Sequence, residues 1–449
     1  MKTAKRPRRA WGWARLLGLG VLVLCLLLAG GYAVATQNAE AGARTAMFLR
    51  SVIGDQAVAQ LETIVYAIKD TFNQLEARAG LLQAPTPWAE APIEEPTRHP
   101  LPSATPLSAV SPGSDGAQAA QAAITPRPAA TATPTPDQAQ AAGDAPSTTP
   151  EPPTSTPTWT PTATPPWNPT PIDGFTSMKD EGQWQAYIED GGGQTVAYRT
   201  RLFPDRSRLY YAEAVVVAFD LNATRLHFAL GKDEPKSLVQ VDRTGKIPDE
   251  DLKLGHLLAA FNGGFLAQHG SFGAMSNGIT LLPPRDGLAT IAMYDDGQVK
   301  LGAWGREIIT DTHLVSWRQN GPLLIDHGQI NPETTVGLPR DWGYSVNGET
   351  VVWRSALGIS ADRRTLYYVA GPNLTLPILA KAVAATGAQF AMQLDINDYW
   401  VFFCTFYPDA QDPTHIETRE LHLVMRYKNR DRYLKGFERD FFYITSANY

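Results

Sequence analysis

The segment Leu257-Leu258-Ala259-Ala260-Phe261-Asn262-Gly263-Gly264-Phe265-Leu266 decides how this chain is read. An apolar run that ends in a turn signal is the pattern of a buried strand. Asn-Gly-Gly after it opens backbone conformations closed to residues with a Cβ, and lets another group approach the main chain closely. The Asn262 amide both donates and accepts hydrogen bonds. Taken alone, the segment is also compatible with an ordinary hairpin turn.

Working outward, residues 172–449 are strand-rich. Apolar or alternating runs predict strands at 214–219, 225–230, 256–261, 289–294, 298–301, 313–317, 323–325, 351–353, 357–359, 365–369, 389–394, 399–406, 420–426 and 441–444. Leu376 to Thr386 reads as a helix, with Pro377 in its first turn and Gly387 at its end. It lies between two of the strands. The expected fold is α+β, a mostly antiparallel or mixed sheet with few helices.

Upstream, the composition changes three times. Residues 1–15 carry Lys2, Lys5, Arg6, Arg8, Arg9 and Arg15 and no acid, and 16–35 carry no charge at all. About twenty apolar residues span a bilayer as a helix, and basic residues before the span keep that end cytoplasmic. The expectation is a basic tail (1–15) and a transmembrane signal-anchor (16–35), with the rest of the chain extracytoplasmic. Ala33-Val34-Ala35 also fits the cleavage site of a leader, although the apolar run is long for one.

A helical stalk is expected over 41–84. Within it Val58, Leu61, Val65, Ile68, Phe72 and Leu75 recur at spacings of 3, 4, 3, 4 and 3, the pattern either of a short seam through which 51–80 can self-associate or of an amphipathic helix lying on the membrane or on the main domain. Residues 85–171 hold 22 of the 35 prolines among Thr, Ser and Ala, the composition of a disordered spacer. The final domain is then 172–449. The net charge of −6 gives no support to nucleic acid as a partner. Of the two cysteines, Cys25 lies in the uncharged run and only Cys404 in the exported part, so no internal disulfide is expected there.

Several pieces of 210–410 together resemble one family, the phosphodiester glycosidases. They are Asn262-Gly263-Gly264-Phe265, Ser276-Asn277-Gly278, Asn320-Gly321-Pro322-Leu323-Leu324-Ile325, Arg354-Ser355-Ala356-Leu357-Gly358, and Leu394-Asp395 after the helix. The resemblance implies a sugar-phosphodiester substrate. One departure stands out: the family continues L-D-G-G-G-S, whereas here Leu394-Asp395 is followed by Ile396-Asn397-Asp398-Tyr399-Trp400. Two readings therefore stay open. One is a hydrolase of sugar phosphodiesters in envelope glycans, the other an inactive member that binds such a glycan.

For the hydrolase, a phosphodiester leaves as a weak base, so a single carboxylate can activate water or stabilise the oxocarbenium charge. Asp395 is the first candidate. Arg354 suits the phosphate through its bidentate fork. Asn262, Gly263 and Gly264, with Asn277 and Gly278, are candidate substrate contacts, and Asp398 a second carboxylate or a turn residue. The bland counterparts are a structural Arg354–Asp395 ion pair and an Asn262 that only caps its own turn. The histidines show no metal-ligand spacing, and no metal or cofactor is expected. Cys404 and the aromatic residues of 399–407 are expected mainly in the core.

Overall fold

The computed structural model describes residues 39–82 and 88, then 167–448 apart from 176, 209, 337–341, 343–350, 410, 413 and 426–428. The basic tail, the uncharged stretch 16–35 and nearly all of the proline-rich spacer lie outside the described residues. Among the described residues no helix is long and apolar enough to cross a membrane.

Three antiparallel sheets make up the domain. The first runs β1 (Gln185–Glu189), β2 (Thr195–Leu202), β3 (Ala214–Asp220), β14 (Thr365–Leu374), β13 (Val352–Ile359), β15 (Phe390–Ile396), β11 (Leu323–Asp326), β12 (Gln329–Ile330). The second runs β7 (Ile279–Leu282), β6 (Ala274–Ser276), β10 (Leu314–Gln319), β8 (Ala289–Tyr294), β9 (Val299–Ala303). The third runs β17 (Ile416–Glu420), β16 (Phe403–Pro408), β5 (Leu257–Asn262), β18 (Phe441–Ser446), β4 (Thr224–Ala229). Among the described residues the α-helices are α1 (Ala39–Ile53), α2 (Asp55–Arg78), α3 (Glu333–Val336), α4 (Leu376–Ala385) and α5 (Arg432–Lys435).

The strand β3 shows why the first sheet sits in the middle. Its sequence AVVVAFD is apolar on both sides, and every residue is buried. Side chains alternate across a strand. Val215, Val217 and Phe219 enter a core shared with Ile291 and Leu301 of the second sheet and with Leu258 and Ile444 of the third. Ala214, Val216 and Ala218 enter another core, packed on Leu379, Ala380 and Val383 of α4. That helix starts where the sequence marks it. Thr375 Oγ1 accepts from Ile378 N at 3.3 Å, and Gly387 after its end has φ 75°. It carries the chain from β14 across β13 to β15, so two strands on either side of β13 run the same way.

Several boundaries differ from the pattern reading. The predicted strands 351–353 and 357–359 are one continuous strand, β13. The predicted strand 399–406 begins only at Phe403, because Trp400 N and Val401 N bond back to Asn397 O in a turn. Of the predicted strand 420–426, Glu420 ends β17, which pairs with β16 on the side away from β5, residues 421–424 are bend and turn, and 426 lies outside the described residues. The core also reaches upstream of residue 172, since Trp167 is buried beside Tyr198.

The stalk does not stand apart from the domain. Asp70 on α2 is buried, its Oδ2 lies 2.9 Å from Arg208 Nη2, and Tyr211 OH donates to its Oδ1 at 2.8 Å. Tyr66, one turn earlier, packs against Phe265, Phe272, Val352 and Ile396. Further along the chain Trp88 lies 4.0 Å over the Arg199 guanidinium.

Candidate active site

The Asn262-Gly263-Gly264 segment leaves the third sheet at the point where all three sheets meet. Asn262 is the last residue of β5. Neither glycine has a positive φ; what they provide is room. A Cβ on Gly263 would come within 2.6 Å of Asp440 O, and one on Gly264 within 3.3 Å of Asn320 Cγ.

Asn262 is held from three directions. Its Nδ2 donates to Ser355 Oγ at 2.9 Å, while Tyr368 OH donates to its Oδ1 at 2.9 Å and Phe402 N at 3.3 Å. Ser355 Oγ in turn donates to Asp395 O at 2.8 Å, and Asp395 N donates to Gly263 O at 3.0 Å. The glycine turn and Asp395 are therefore one connected unit, although 133 positions separate residue 262 from residue 395.

A bulge places Asp395. Along β13 and β15, Arg354 pairs with Ile396 and Ala356 with Gln393, so Leu394 and Asp395 together oppose Ser355. An extra residue in one strand re-aims its side chain. The Asp395 carboxylate meets Arg439 Nη2 at 2.6 Å, and its other oxygen accepts from Ile396 N at 2.9 Å. The same guanidinium donates to Gly264 O at 2.9 Å and lies 4.7 Å from the Trp400 ring. Burial pushes the Asp395 carboxyl up to about 6; Arg439 and the Ile396 amide oppose the rise, and the nearby Asp440 charge adds to it.

A second ion pair lies beneath the first. Arg318 Nε donates to Asp440 Oδ2 at 2.9 Å with both side chains fully buried. Arg318 Nη2 also donates to Phe265 O at 2.7 Å, and Phe265 N donates to Asn320 Oδ1 at 3.2 Å. Gly263 N donates to Asp440 O at 3.0 Å, and Gly264 N points at Asp440 Oδ2 at 3.4 Å. Both amides of the glycine turn thus face Asp440, one its main-chain carbonyl and the other its carboxylate. The site as a whole holds two carboxylates and two guanidiniums in a water-poor centre, where charges interact strongly.

The other expected residues fall elsewhere. Alternation along β13 sends Ser355 and Leu357 to one face and Arg354 and Ala356 to the other. Arg354 is buried on the α4 side, where its Nε donates to Leu374 O at 3.1 Å and burial lowers its guanidinium to about 9. It makes no ion pair with Asp395, whose cation is Arg439. Asn277 and Gly278, with φ 48° and 77°, form the exposed tip of the β6–β7 hairpin, where Asn277 N donates to Ser316 Oγ. Asp398 is half-buried in the turn after β15; burial raises its carboxyl, opposed by Lys69 of α2. Ile396, in the place of a family glycine, joins the apolar cluster under Tyr66. Cys404 is buried, and its thiol is raised by burial.

Arg439, Asp440, Arg318, Ser355 and Tyr368 are the residues that pattern reading missed. The one local sign is Arg439-Asp440, two charges immediately before the apolar strand β18. A separate groove of about 390 Å³, lined by Asp286, Trp304, Arg306, Leu323, Asp326 and Asn331, contains none of the candidates.

Set beside known proteins, residues 255–395 match the sequence model of the phosphodiester glycosidase family. Residues 255–395 are thus similar to a phosphodiester glycosidase domain. The match starts just ahead of the glycine strand and ends on Asp395, so the connected unit described above lies within it. Among solved structures, the domain is similar to the catalytic domain of the zebrafish N-acetylglucosamine-1-phosphodiester alpha-N-acetylglucosaminidase, described as auto-inhibited by its pro-peptide. The identity is 12%, over 58% of this chain and 87% of that chain, with a TM-score of 0.36. A protein of Synechocystis is similar at 12% identity over 58% of this chain and 64% of its own, with a TM-score of 0.33. No curated protein matches the chain.

Proposed function

We propose that this glycosidase domain hydrolyses a sugar linked through phosphate in an envelope glycan, with Asp395 as the reacting carboxylate. The observation that carries the reading is the Asp395 carboxyl itself. Arg439 holds that carboxyl, Ser355 fixes the Asp395 main chain beside the glycine turn, and the carboxyl is raised to about 6. A carboxylate near that value exchanges protons close to neutrality, which suits a group that takes a proton from water. A phosphodiester is a good leaving group, so the step at the anomeric carbon needs little acid assistance. The bond between that carbon and the phosphate oxygen breaks, and the water activated by Asp395 supplies the new hydroxyl. Arg439, rather than Arg354, is the cation beside the reacting group. It is positioned to hold either Asp395 or an incoming phosphate oxygen.

The uncharged stretch 16–35 after six basic residues supports a membrane tether, with the domain carried outside the cytoplasm. A second reading, glycan binding without turnover, is favoured by Ile396 filling the space of a family glycine. The purified chain incubated with a panel of sugar phosphodiesters separates the two. Release of free sugar and phosphomonoester supports hydrolysis. Saturable binding with no product supports the binding module, and neither result leaves the site without a role.

A further inference from the structure

The helix α2 has two faces of opposite character. Its polar side is turned to the domain, through Asp70 on Arg208 and Tyr211 and through Tyr66 on the Phe265 cluster. Its apolar side is turned away. Leu61, Ile64, Val65, Ile68, Phe72 and Leu75 are all exposed, Ile68 by 51% and Phe72 by 62%. At 3.6 residues per turn these positions fall within an arc of about 100°. Val58, which continues the seam in sequence, is instead 3% exposed. On the neighbouring α1, Met47, Phe48, Val52 and Ile53 are exposed as well. An apolar face of this extent marks an interaction surface.

We propose that a second copy of this chain covers it, α2 packing against α2 in parallel along Leu61, Val65, Ile68, Phe72 and Leu75. The 4, 3, 4, 3 spacing of those residues is that of a two-helix seam. The charge on α2 argues against lipid as the occupant. Asp55, Glu62, Asp70 and Glu76 outnumber Lys69 and Arg78, whereas helices that lie on membranes are rich in Lys and Arg. The uncharged stretch 16–35 ends just before α1 begins at Ala39, with only 36–38 between. Copies anchored by that stretch stand side by side in one orientation, which raises their effective concentration and lets a short seam suffice. Because the opposite face of α2 grips the domain, pairing of the helices also pairs the two glycosidase domains.

The test uses the full chain in detergent, with Cys25→Ala so that buried Cys404 is the remaining native cysteine. Light scattering should give a protein mass of twice the 48.9 kDa chain. Ile68→Glu with Phe72→Glu should bring it down to a single chain mass with an unchanged melting temperature, since both side chains are exposed. Ile68→Cys should cross-link on mild oxidation, and Asp296→Cys in the β8–β9 turn should not. A monomeric starting protein, or a glutamate double variant that still associates, overturns the proposal. So does a fluorophore at residue 68 quenched by a lipid-borne quencher in vesicles, which would assign the face to lipid.

Discussion

At the scale of single residues, the Asp395 carboxyl is the group whose chemistry depends most on its surroundings. It is buried against Arg439 and raised to about 6, against an ordinary value near 3.8. If it acts as a base, the ionised form is the active one, so kcat/KM should rise as pH rises through about 6 and level off above. Raising a carboxyl also makes the folded state hold its proton more tightly. Its contribution to stability is therefore full below the ordinary value and is lost as pH rises through about 6. Asp395→Asn should cut kcat by roughly 10²–10⁴-fold and flatten the rise, because the amide cannot take the proton. Ligand binding, measured by calorimetry, should survive in that variant. A variant that keeps its turnover would move the reaction to another group, with Asp440 the nearest candidate carboxylate. Arg354 shows the reverse lesson. A guanidinium adjacent in sequence to the site residue Ser355 is turned to the other face of the sheet simply by strand alternation.

At the scale of elements, the contact between α2 and the domain rests on a compact polar node. Asp70 accepts from both Arg208 and Tyr211, and the Asp205 carboxylate also holds Arg208, at 2.6 Å. Removing one partner of a buried hydrogen-bonded group costs about 1–3 kcal/mol. Asp70→Ala should therefore loosen α2 without unfolding the sheets. Hydrogen exchange should accelerate over 55–78 and stay slow in β3, β5 and β13. Equal exchange in wild type and variant would mean that Tyr66 and its apolar contacts alone hold the helix in place. The same node explains why the helix presents its apolar stripe outward. A buried carboxylate that satisfies an arginine and a tyrosine leaves the opposite face of a 3.6-residue helix without a partner on the domain.

At the scale of the whole molecule, a chain with three sheets and a helix pair in one unit is joined to stretches of very different composition. Because α2 packs on the domain, the proposed tether joins that unit at α1, through residues 36–38, and its reach does not depend on the spacer. A reporter fused after residue 449 that functions only outside the cytoplasm should be active, and one that functions only inside should be silent. The opposite pattern would overturn the tether and the envelope substrate together, while leaving the glycosidase domain as it is.

Much of this was determined locally. Apolar runs such as Ala214–Phe219 and Leu257–Phe261 are strands because their side chains suit a surface buried on both faces, and Leu376–Ala385 is a helix because Thr375, Pro377 and Gly387 mark its ends. Asn262, the two glycines and Asp395 were recognisable from their motifs for the same reason: each is defined by its immediate neighbours. What only the tertiary structure decided were the partners. Asp395 faces the glycine turn because one extra residue in β15 re-aims it, and no composition or period marks that bulge. Its cation is Arg439 because β18 lies beside β5, a pairing between distant segments. The direction of the α2 stripe belongs to the same class. Its spacing is written in the sequence, but which side meets the domain depends on where Arg208 and Tyr211 stand in space.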